Sequence, residues 1–154
     1  MRFSECHDLA VHSLCCLAAQ PKGRLLAAKD MAEALGARLS YLAKILQVLA
    51  HAGLVEAKRG KAGGYGLSRP ASEISLGDVL GAVDAGPRIY PCPGTRGCPA
   101  SKPCAIRTAF DVADRSLTRE LGRVTLSRVV ADLRAGGKNG NHPWLQKTLS
   151  EARA

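Results

Sequence analysis

A chain of 154 residues, 46% apolar and 23% charged, has room for one ordinary domain and an appendage; this composition excludes wholesale disorder and is short for two independent enzymatic domains. The formal charge of +9 suits a polyanionic partner such as DNA. Six cysteines without a secretory leader read as thiols or ligands rather than as a disulfide framework.

The first ten residues carry no charged leader followed by an apolar stretch, and no apolar run approaches membrane-spanning length, so a cytoplasmic location and no membrane partner are expected. Ser4 can cap a first helix from about Glu5 to Ala19, with Ala10, Leu14 and Leu17 toward a core and Pro21 and Gly23 ending it. A short helix is expected from about Ala28 to Leu35, stopped by Gly36, and a third from about Ser40 to Ala52, stopped by Gly53. Leu42, Ile45, Leu46 and Leu49 follow the helical repeat and leave Ser40, Tyr41, Lys44, Gln47 and His51 on the other side. Leu54 to Ala57 reads as a strand, Lys58 to Gly64 as a basic glycine-rich turn, and Tyr65 to Leu67 as the returning strand.

Beyond Pro70, Ser75 caps a helix over Leu76 to Val83. Residues 86 to 104 hold too many glycines and prolines for regular structure, and Cys92, Cys98 and Cys104 lie there. A long helix from about Ala105 to Leu121 carries the stripe Ile106, Phe110, Ala113, Leu117 and Leu121, which needs a partner surface. A last helix spans Thr125 to Leu133, and residues 135 to 154 are expected to form a flexible tail.

A helix pair with a glycine turn followed by a basic hairpin matches the way winged helix-turn-helix proteins set one helix in the major groove. The fold class expected is therefore mainly α with a small β-hairpin, and residues 1 to 84 form the DNA-binding unit. From Ala37 to Arg69 six basic residues stand against one acid. Ser40, Tyr41, Lys44 and Gln47 are candidate base readers or phosphate anchors, and Lys58, Arg59 and Lys61 supply charge-driven binding. Gly63 and Gly64, with Gly60, would let backbone approach the duplex. Arg2 joins the candidate DNA contacts.

The three loop cysteines are separated by five residues each, with no acid between Gly86 and Thr108 and with Arg88, Arg96, Lys102 and Arg107 nearby. Positive surroundings favour the deprotonated thiol that binds metal or reacts with oxidants. Zinc sites usually pair ligands two to four residues apart, a spacing absent here, whereas iron–sulfur clusters accept more varied spacings. Iron–sulfur ligation is favoured; zinc and a thiol switch stay open. Three thiolates call for a fourth ligand, and Asp8, His12 and Cys15 share one face of the first helix. A carboxylate favoured at a helix start and an ordinary surface histidine are the alternative accounts of Asp8 and His12. Cys6, Cys15 and Cys16 read as packing residues. No metalloprotease, nucleophile-elbow, P-loop or dinucleotide motif is present, so no enzyme is expected.

In order along the chain, Met1-Arg2-Phe3-Ser4 with Asp8-Leu9-Ala10, Ser40-Tyr41-Leu42, Gly53-Leu54-Val55, Arg59 to Tyr65 and Leu76-Gly77-Asp78-Val79 resemble the motifs of the Rrf family of winged-helix regulators, from Met1 to about Leu133. The resemblance implies a homodimer joined through the long helix, so that residues 105 to 134 form the dimerisation unit and residues 85 to 104 an iron–sulfur loop near the partner's DNA-binding domain. In IscR-like members a histidine three residues after the last cysteine is a ligand; Arg107 stands there in this chain. In NsrR-like members an aspartate at the Asp8 position, donated by the other subunit, takes that part, and the ligand pattern is nearest to theirs. The resemblance thus favours Asp8 as fourth ligand with His12 as runner-up. Ala43 replaces an acid of IscR-like recognition helices, and Trp144 has no counterpart and no assigned role.

The function implied is a dimeric repressor that binds a pseudo-palindromic double-stranded operator and is released when nitric oxide attacks its cluster. The four-iron, four-sulfur form is favoured and the two-iron, two-sulfur form is the alternative. Sensing of cluster status, iron or redox state is the nearest rival, and a cluster-free thiol switch is a rival of another class.

Overall fold

Among the residues described by the computed structural model, 5–60, 63–83, 104–136 and 142–150, the chain runs α1 (Glu5–Ala18), α2 (Ala28–Leu35), α3 (Leu39–His51), β1 (Val55–Lys58), β2 (Gly64–Leu67), α4 (Leu76–Val83), α5 (Ala105–Gly122), α6 (Leu126–Arg134) and α7 (Pro143–Ser150). The mainly helical fold with one small hairpin is the one expected. Arg2, Lys61, Cys92 and Cys98, and most of the expected cluster loop, lie outside the described residues.

The core is the sum of the apolar stripes. Leu14 of α1, Met31 of α2, and Leu42, Ile45, Leu46 and Leu49 of α3 are fully or almost fully buried in one cluster with Leu54, Ile74, Val79 and Leu126. Each such aliphatic side chain stabilises the fold by roughly 1.5–3 kcal/mol relative to its exposed state. Gly36 ends α2 in the left-handed region, φ 64°, a conformation that costs a glycine little, and the chain turns directly into α3.

The hairpin pairs Val55 with Leu67 and Lys58 with Gly64 in antiparallel register. A third strand piece, unseen in the sequence, flanks it: Leu26 donates to the Tyr65 carbonyl at 2.9 Å and Tyr65 donates to that of Leu26 at 2.8 Å. The segment preceding α2 thus fixes the hairpin beside the helix pair.

Ser75 and Asp78 form a reciprocal cap at the start of α4. The Asp78 N–H donates to the Ser75 hydroxyl at 3.1 Å, and the Ser75 N–H donates to the Asp78 carboxylate at 2.9 Å. The same segment ties in the C-terminal half: Leu76 N–H donates to Val124 at 2.8 Å and Leu126 N–H to Ile74 at 2.9 Å, so Ser75 and Thr125 face each other as a backbone bridge. The end of the long helix α5 is therefore fastened to the helix-turn-helix unit.

Residues 143–150, expected within a flexible tail, form α7 and pack against α1 and α2. Leu145 and Thr148 are buried, the Thr148 hydroxyl donates to the Leu145 carbonyl at 2.9 Å, and Lys147 meets Glu33 at 2.8 Å. The glycine- and asparagine-rich connection misled the sequence reading, because the short apolar pair Trp144-Leu145 finds its partner only in three dimensions.

Candidate functional site

Burial of one face of α3 leaves Ser40, Lys44, Gln47, Val48 and His51 exposed on the other. Its start carries no side-chain cap and no acid in the first turn, with exposed Arg38 at the N-cap position. The free N–H groups and dipole of a helix start favour an anion such as a backbone phosphate. Arg38 is a candidate contact that the sequence did not single out; an exposed cation at the N-cap of the second helix of the pair was the available signal.

Tyr41 departs from expectation. It is half-buried against the core and shares a hydrogen bond with Cys6 of α1. Partial burial, the Cys6 thiol and Glu5 push its phenol up from its ordinary pKa. Tyr41 therefore braces α3 on α1 and is less available to bases than Ser40, Lys44 or Gln47.

On the hairpin, Lys58 and Arg59 are exposed, and Lys58 lies 3.5 Å from Glu56, a surface pair of small energetic weight. The glycines have a closer reason for being there than contact with a duplex. A Cβ on Gly63 would fall 2.3 Å from the Lys58 carbonyl oxygen, and one on Gly64 would fall 2.7 Å from that of Leu26. The turn and the third strand piece close only around bare backbone.

Of the cysteine site, the described residues give two parts. Cys104 is half-buried at the N-cap of the 18-residue α5. Asp8 stands on the outer face of α1 with its side chain 67% exposed, and His12, 34% exposed, turns to it: Nδ1 lies 3.2 Å from Oδ1 and 2.8 Å from the Asp8 carbonyl oxygen. An N–H at Nδ1 donates to the carbonyl oxygen, and the carboxylate oxygen lies beside it at ion-pair distance. Among the described residues no three histidine, cysteine or acidic side chains converge on one point. A half-buried thiol at the start of α5 fits the thiolate ligation of an iron–sulfur cluster, and the Asp8 carboxylate, on another element, is accessible to solvent. Arg107 lies 3.9 Å from Asp111 on the exposed side of α5.

Cys15 and Cys16 do not belong to this site. Both are buried in the core, and burial pushes their thiols up to about 12. They remain neutral packing groups.

No helix among the described residues is long and apolar enough to cross a membrane. The HTH-type transcriptional repressor NsrR of Streptomyces coelicolor is 32% identical over 132 residues, covering 85% of this chain and 89% of that protein. The HTH-type transcriptional regulator IscR of Escherichia coli O9:H4 (strain HS) is 34% identical over 127 residues, 80% of this chain and 78% of that protein. The oxidised form of CymR from Staphylococcus aureus matches in structure with a TM-score of 0.65 at 25% identity, over 84% of this chain and 96% of that one. The family described as Rrf2, iron-dependent transcriptional regulator, matches residues 3–132. With an uncapped recognition helix, a basic wing and these relatives together, the chain belongs to the Rrf2 family of transcriptional regulators.

Proposed function

We propose that this chain is a homodimeric repressor whose operator binding depends on an iron–sulfur cluster held by Cys92, Cys98 and Cys104 with Asp8 of the other subunit, and that nitric oxide releases it from DNA. The observation that carries the reading is the exposed Asp8 carboxylate, together with Cys104 at the α5 N-cap, in a chain 32% identical to a repressor named NsrR. The cluster would supply the reactivity toward the signal.

The chain's own residues do the rest. Ser40, Lys44 and Gln47 face the groove, Lys58 and Arg59 the neighbouring phosphates. Helix α5 buries none of its residues within the chain; Ile106 is 61% and Val112 50% exposed. Exposed apolar side chains on a helix with no fully buried residue support pairing with a second copy. Cys104 is the N-cap of α5 and the Ser75–Thr125 bridge lies just beyond its other end, a connection through which a shift at the thiol end would reach the DNA-binding unit.

Titration of labelled operator with anaerobically prepared protein tests this: affinity should fall after stoichiometric nitric oxide, and unchanged tight binding would remove nitric oxide as the signal. The likeness to CymR, solved in an oxidised form, favours a second reading in which loop thiols oxidise without any cluster. Protein free of iron that still loses DNA on mild oxidation would select it.

A further inference from the structure

Helix α7 lies beyond the matched region 3–132, yet it packs on α1 and α2 of the helix-turn-helix unit. Gln20 donates to the Thr148 carbonyl at 3.3 Å, Thr148 is fully buried, and Lys147 holds Glu33 of α2. At the start of α7 Trp144, the chain's single tryptophan, sets its ring edge-on to His12, with centroids 4.9 Å apart and planes at 85°. His12 in turn contacts the carbonyl and carboxylate of Asp8. A continuous line of contact runs from the docked helix through an imidazole to an exposed carboxylate.

An exposed aspartate samples several rotamers, and ordering it weakens whatever it binds; a partner that holds it beforehand removes that cost. Groups that orient a metal ligand act in this way. We propose that Trp144 is a positioning residue of the sensor: it seats His12 on Asp8 and so presets the carboxylate for the other subunit's cluster. The inference rests on the assignment of Asp8 as fourth ligand.

A mutant cycle on the full-length dimer with its cluster assembled tests it, read as the rate at which a ferrous chelator bleaches the visible absorbance. Trp144→Ala should bleach roughly two- to tenfold faster, the range spanned by an aromatic edge contact, while Trp144→Phe stays near wild type. In an Asp8→Ala background Trp144→Ala should add nothing, because its effect passes through Asp8. In metal-free protein the His12 ring protons should show a chemical-shift displacement from the indole, kept in Asp8→Ala and lost in Trp144→Ala. If Trp144→Ala does not fold, Trp144→Leu replaces it. Equal acceleration with and without Asp8, or none, overturns the inference while leaving Asp8 a ligand; a wild-type bleaching rate for Asp8→Ala overturns the ligand assignment and the inference with it.

Discussion

Leu26 and Tyr65 exchange both of their backbone hydrogen bonds, 2.9 and 2.8 Å long, and this one pair turns a two-stranded hairpin into a wing braced on the segment that leads into α2. An isolated hairpin is marginally stable in water, and the extra bridge fixes its angle to the recognition helix. The close approach has a steric condition, met at Gly64.

Gly64→Ala should therefore misalign the wing. Its Cβ would collide with backbone rather than with a movable side-chain end, and we expect a loss of about 1–3 kcal/mol of stability, the usual cost of overpacking. Urea denaturation gives the stability change. DNA binding should weaken on all sequences alike, because the contacts proposed for the wing are to phosphate.

Lys44 and Gln47 separate by chemistry. Lys44→Ala should weaken binding on specific and random DNA together and lower the salt slope by about one unit per lost phosphate contact. Gln47→Ala should cost about 1–3 kcal/mol on the cognate operator and little on random DNA. Affinity measured against salt on both duplexes checks the pair.

The periodic elements were legible in the sequence. Regular apolar spacing in α1 and α3, the glycine stops, and the cap at Ser75 all read locally, and they appear within a residue or two of expectation. What escaped depends on contacts between distant residues. Leu26 has no strand signature of its own, Tyr41 sits on the seam between two faces of α3, and Trp144-Leu145 becomes a core element only by meeting α1 and α2. Asp8 and His12 were legible as a face of α1, but their mutual contact and its continuation to Trp144 were not.

The docked α7 predicts a measurable stability contribution. Leu145→Ala should destabilise the fold by about 2–4 kcal/mol, as truncation of a buried leucine does. Lys147→Ala, which removes a surface ion pair, should cost at most about 1 kcal/mol. Thermal denaturation of both variants checks this; equal, negligible effects would mean that α7 does not pack in solution.

Cys15 and Cys16 give a pH prediction. Their thiols are raised from 9.0 to about 12 by burial, so between those values the folded state holds protons that the unfolded state has released. Stability from these groups is fully present below about pH 9 and falls as pH rises toward 12. Alkylation of the folded, metal-free protein at pH 8 should leave both cysteines unmodified, and mass mapping of the labelled peptides reads the result.

The most direct test of the central claim is the iron and acid-labile sulfide content of protein purified without oxygen, taken with its visible absorption and those of Cys104→Ser and Asp8→Ala. We predict iron and sulfide with a broad visible band in the wild type, absent in Cys104→Ser and labile in Asp8→Ala. Colourless wild-type protein, holding zinc or no metal when prepared anaerobically, would contradict the account.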